Sequence, residues 1–170
     1  MKFIFTPNLI PGQPDCLRRI SPNWDLLPNF PDEAAFLDFM VSKHKACGVI
    51  PVDGPYWIVD EADLLDGSGS EDNEYFFDAW EWAEDRVNVN MTKARAIHMD
   101  AIRVVRNAEL VAKDITFMRA VEAGDASAQS TIATEKQVLR DIPATFDITT
   151  DVDTPEKLKA KWPTELPARA

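Results

Sequence analysis

The side chains able to do acid–base or metal chemistry are few and scattered in this chain of 170 residues. There are two histidines, His44 and His98, and two cysteines, Cys16 and Cys47. No HxxxH, HExxH or CxxC spacing links them, and a zinc site needs its nitrogen and sulfur ligands to converge on one ion. The cysteines are too few for a disulfide framework and read as ordinary thiols, with a single disulfide between them as the alternative. Carboxylates are abundant. However, Asp60-Glu61-Ala62-Asp63 and Asp66-Gly67-Ser68-Gly69-Ser70-Glu71-Asp72 lack the alternating ligands and closing glutamate of a calcium loop. With so many acids, no single pair of them points to general acid–base work. The phosphate-cradling GxxxxGK[ST], the dinucleotide GxGxxG and the nucleophile-elbow GxSxG are absent from the sequence. The expectation is a protein that is not an enzyme, with no catalytic residues, no cofactor and no metal.

The charge is unevenly placed. Residues 1–90 hold 17 acidic and 6 basic side chains, whereas residues 91–170 hold 12 of each, so the formal charge of −11 lies in the first part. Val59 to Asp85 contains 11 acids and no base. An acidic face repels DNA and anionic membranes, so neither is an expected partner. The plain reading is a solvated surface, and the sharper one is a host-interaction or nucleic-acid-mimic module that docks a basic partner. No apolar run reaches the roughly 18 residues of a membrane span. The apolar stretch Phe3-Ile4-Phe5 is too short for a signal-peptide core. Synthesis in the cytoplasm is expected.

The elements that would position any site are helical in the second half. Ala94, Ile97, Ala101, Val104, Ala108, Val111, Ile115 and Met118 are spaced 3, 4, 3, 4, 3, 4, 3. That heptad seam predicts a helix over roughly 91–123 that packs lengthwise on another helix. At 1.5 Å per residue the rod would be about 48 Å long, more than a compact domain of this size buries. Gly124-Asp125 predicts a turn, and Asp125 or Ser127 the cap of a second helix over roughly 126–140, closed by Pro143. A second helix of that length covers at most half of the rod. The remainder calls for another chain, and Val104→Asp would cost several kcal/mol by placing a charge in a buried seam.

In the first half, Met1–Phe5 and Cys16–Ile20 are candidate strands, and Thr6–Pro14 is a proline-bearing arm. Pro31-Asp32-Glu33 starts a helix that runs to about Ala46. Val49–Val52 and Tyr56–Val59 read as short strands around an Asp53-Gly54 turn, and Leu65–Asn73 reads as a loop. Tyr75–Trp82 packs five aromatics into eight residues. It reads as an amphipathic segment buried under the N-terminal domain, with an exposed patch presenting Trp80 and Trp82 to a partner as the alternative. Val87–Asn90 is an extended link. Thr154-Pro155-Glu156 starts a short helix, and Trp162-Pro163 and Pro167 finish an extended tail. The fold class expected is α+β: a small mixed acidic domain (1–85), a long helical hairpin (88–143) and an extended tail with one short helix (144–170).

The second half also resembles a known family. Arg103, Arg106, Leu110 and Asp114 form an R..R...L...D helix; Gln137, Leu139, Arg140, Asp141, Ile142 and Pro143 form a Q.LRDIP helix end; and Trp162, Pro163 and Pro167 form a closing WP...P, one residue longer than the family's WP..P. This pattern resembles the C-terminal helical module of small tailed-bacteriophage tail-fibre and tail-assembly proteins. It covers about half of the chain. One departure is Ile115-Thr116-Phe117, where the family usually places a Trp soon after the aspartate. The resemblance implies a virion structural protein of the tail or tail-fibre region, made in the host cytoplasm and carried in the virion. The alternative it implies is a tail-fibre assembly chaperone absent from the mature particle. Its partners would be other tail or fibre proteins and, through the helical seam, further copies of itself. The expected partner interface comprises the eight seam residues together with Trp80, Trp82, Trp162 and Pro163.

Overall fold

A computed structural model describes residues 1–10, 16–67 and 75–169. The fold is α+β, in two compact units, residues 1–90 and 91–170. The loop expected at Leu65–Asn73 and the arm at Thr6–Pro14 lie partly outside the described residues, as does the second acidic run that resembles a calcium loop.

The first unit is built on a three-stranded antiparallel sheet of order β2-β1-β3: β1 Lys2–Pro7, β2 Leu17–Ile20 and β3 Trp57–Asp60. The register Ile4↔Ile20 and Ile4↔Ile58 puts these three on one face, and Phe3↔Val59 and Phe5↔Trp57 put those four on the other. The Ile4 face packs on helix α1, Glu33–Ala46, through Val41 and Met40. Asp32 caps α1 by accepting from the backbone N–H of Ala35 at 2.8 Å. The Phe5 face packs on the hairpin of β4, Trp80–Ala83, and β5, Arg86–Val89, around Trp80 and Val87.

Several expectations change here. Val49–Val52 is not a strand and there is no hairpin at Asp53-Gly54, because β3 pairs with β1 instead. The aromatic run Tyr75–Trp82 passes through a 3-10 turn at Phe77–Ala79 into β4. Val87–Asn90 is no free link, since β5 pairs with β4 in the register Trp82↔Val87. Glu84 and Asp85, at φ 54° and 58°, make the tight two-residue turn whose twist matches a hairpin.

The second unit is an antiparallel helical hairpin: α2, Met91–Glu122, and α3, Ala126–Thr145. Gly124 has φ +69°, and Asp125 N–H donates to Ala120 O at 2.9 Å, closing α2 with a left-handed glycine. Asp125 then caps α3 through the Ala128 N–H at 2.9 Å. Pro143 does not end α3, which continues to Thr145. A proline in the last turn forfeits one bond, and the turn closes through Phe146 N–H to Ile142 O at 2.8 Å. The segment after α3 is not a free tail. Helix α4, Pro155–Ala160, is capped by Thr154 and buries Leu158 completely. Pro163 and Leu166 are buried too. The boundary between units falls at Asn90/Met91, and residues 144–170 belong to the hairpin's unit.

Candidate assembly surface

Helix α2 has two apolar faces. The first is buried. Met99 and Ile102 join Leu139 and Ile142 of α3 and Leu166 in one cluster, flanked by Val105, Leu110, Phe146, Ile148 and Trp162. Further along, α2 and α3 are joined by charge: Lys113 pairs with Glu135 at 2.5 Å, and Lys136 with Asp114. The Lys136 ammonium also sits 5.3 Å from the Phe117 ring centroid.

The second face is the heptad seam, and the structure divides it. Ala94 is buried and Ile97 and Ala101 are half-buried, but Val104 is 69% exposed, Val111 61%, Ile115 53% and Met118 56%. Ala108 is exposed as well. The seam therefore does not face α3. At about 100° per residue, Val104 lies about 200° round the helix from Ile102, on the opposite side. What remains uncovered is one face of α2 over Val104–Met118, where an uncovered end of the rod was expected.

Trp80 and Pro163, named above as interface candidates, are correspondingly corrected. Trp80 is 1% exposed and packs on Phe5 at 6.0 Å and on Phe77 at 4.8 Å. Trp82 is half-buried and stacks on Trp57 at 4.7 Å, with 12° between the planes. Trp162 packs beside the buried hairpin cluster, and its indole N–H donates to Pro167 O at 3.0 Å. These aromatics are spent on internal packing, whereas the α2 stripe stays open to a partner.

The resemblance motifs fall mainly into that internal packing. Leu110, Leu139, Ile142 and Trp162 lie in or against one cluster. Asp114 makes the Lys136 bridge, and Gln137 donates to Asp141 at 2.8 Å. Arg103 pairs with Asp100 at 2.6 Å on the surface, and the Arg106 guanidinium donates to Asn107 Oδ1 at 2.8 Å.

His98 is fully buried, and its Nε2–H donates to the Lys161 carbonyl at 2.7 Å. Burial holds its pKa below the usual histidine value, and the Arg169 cation pushes the same way, while the bond to Lys161 opposes them. Together with Arg95, which donates to Ile148 O at 3.3 Å and Val152 O at 2.9 Å, His98 pins residues 148–161 to α2. Periodicity marks neither residue as a latch, because their partners are backbone carbonyls of an irregular segment.

A cleft of about 540 Å³ opens between α2, α3 and Glu165–Pro167, lined by Glu109, Lys113 and Glu135 among others. Its one lysine is already bridged to Glu135. Cys16 is buried and Cys47 exposed, and neither is in a disulfide. Among the described residues, no group of three or more His, Cys, Asp or Glu side chains is placed to share a metal ion. Nor is any described helix long and apolar enough to cross a membrane. No family model, curated protein or solved structure matches this chain.

Proposed function

We propose that this chain is a non-enzymatic structural protein of a bacteriophage tail or tail-fibre region, built into its assembly through the uncovered face of α2. The observation that carries the docking role is the stripe Val104, Ala108, Val111, Ile115 and Met118, a continuous apolar row left in solvent by a helix whose opposite face is already packed. An exposed row of this regularity has the form of a helix-packing surface and offers nothing to a substrate. The tail assignment rests on the R..R...L...D and Q.LRDIP resemblance together with the closing Trp162-Pro163 and Pro167. The second reading from that resemblance is an assembly chaperone that leaves before maturation.

Mass spectrometry of purified particles, with and without Val111→Asp, tests the reading. The wild-type chain is expected in the particle, and the variant is expected to be lost from it while keeping the wild-type helix content by circular dichroism. Wild-type chain found only in infected-cell lysate indicates the chaperone. Normal incorporation of Val111→Asp rejects the stripe. Apolar docking is also expected to survive raised salt, whereas a nucleic-acid mimic acting through Asp60, Glu61 and Asp63 would be screened within a Debye length of about 10 Å at 0.1 M.

A further inference from the structure

We infer that the occupant of the α2 stripe is a second copy of this chain, lying antiparallel; this rests on the docking role proposed above. Along the seam, Ala94, Ala101, Ala108 and Ile115 hold one heptad core position and Ile97, Val104, Val111 and Met118 the other. In an antiparallel pair the two kinds of position face each other. One register sets Ala101 against Met118 of the second copy, Val104 against Ile115 and Ala108 against Val111. Ala101 and Ala108 then each meet a larger side chain, so these three layers fill evenly, while Ala94, buried within its own chain, takes no part.

The flanking charges select the same register. It places Asn107 beside Asp114 of the second copy, Val105 beside Ala112 and Asp100 beside Val121, with no like-charged pair. A slip of one heptad in one direction sets Asp114 against Asp114, and in the other sets Asp100 against Asp114. Both slips are penalised by like-charge repulsion. Parallel pairing would set Ala101 on Ala101 and Ala108 on Ala108, leaving thin layers. It would also align the ends of α2 that continue into residues 1–90, where the whole formal charge of −11 resides. The Asp114–Arg119 contact that a parallel pair could gain uses an aspartate already bridged to Lys136.

Disulfide trapping tests the register in full-length chains carrying Cys47→Ser, which removes the exposed thiol. Val104→Cys and Ile115→Cys variants, made separately and then mixed, are expected to form a mixed disulfide dimer, and Val104→Cys alone none. Sedimentation of the wild type is expected to give twice the chain mass, and Val111→Asp to halve it while keeping the wild-type helix content by circular dichroism; the wild-type melting temperature is expected to rise with chain concentration and that of Val111→Asp to stay constant. Self-crosslinking of Val104→Cys overturns the antiparallel arrangement. A wild-type monomer with no crosslink overturns the self-pairing altogether. In that case a continued need for Val111 in particle incorporation leaves the docking role standing with a different partner, and indifference to Val111 removes both.

Discussion

Ile102 and Val104 are two residues apart on α2, yet Ile102 is 0% exposed and Val104 is 69% exposed. They mark the two faces of one helix, one closed by α3 and residues that follow it, the other open. The same pair separates fold from association experimentally. Ile102→Ala is expected to cost about 2–5 kcal/mol of stability, as cavity formation in a packed core does. Val104→Asp is expected to stay within about 0.5 kcal/mol of wild type, as surface changes do, while reducing assembly. Denaturant melts of both variants, run at a chain concentration at which the wild type sediments as a monomer, check this. A large loss of stability in Val104→Asp would mean that the seam is buried within the chain.

Gly124 sits at φ +69° with open space where a Cβ would lie. Gly124→Ala therefore meets no neighbour and pays only for a left-handed backbone, about 1–2 kcal/mol. Chemical denaturation is expected to show that loss with an unchanged slope. A neutral outcome would show that the turn between α2 and α3 does not hold this backbone.

Buried His98 titrates below its ordinary value of 6.5 in the folded chain. The unfolded chain then binds a proton at a pH where the folded one does not, so stability is full above 6.5 and falls as pH drops through the lowered folded value. His98→Asn is expected to flatten this leg of the melting-temperature profile, leaving the loss at still lower pH. There Asp147, whose carboxylate is held ionised by Thr149 and Thr150, and Asp153, held by Lys157, become protonated. An unchanged profile in the variant would exclude His98 as its source.

Truncation after Asp153 removes Leu158 and Leu166, each buried against the hairpin unit, and uncovers His98 and Ile102. Each lost leucine contact is worth about 1.5–3 kcal/mol. The truncated chain is expected to lose cooperative melting of residues 91–153 as read by circular dichroism. A truncated chain with native melting would show that residues 154–170 do not support the hairpin, and would return Trp162 and Pro163 to the list of partner contacts.

The elements of the second half were legible from residue order because their signals are local. The apolar spacing along α2, the Gly124-Asp125 break, the Asp125 cap and the Thr154-Pro155 start all act within a turn or two of chain. In the first half the start of α1 at Pro31-Asp32-Glu33 was legible for the same reason, but strand pairing was not. Val49–Val52 has strand-like composition, yet whether a strand forms depends on a distant partner, and β1 takes Trp57–Asp60 instead. Pro143 misled for a related reason. Its cost depends on its place in the final turn, where Ile142 is anchored by side chains far away in sequence.

The candidate surface shows the same division. The 3/4 spacing by itself determined that one face of α2 is apolar and uncharged enough to pack on a helix. It could not say which helix, because Ile102, Leu110, Phe117 and Ala120 make a second, charge-interrupted face on the same rod. Only the tertiary structure decided that α3 and residues 146–166 take the interrupted face. There, Lys113–Glu135 and Lys136–Asp114 supply specific pairing across the helices, which a purely apolar face does not offer. The regular seam was thereby left open from Val104 to Met118.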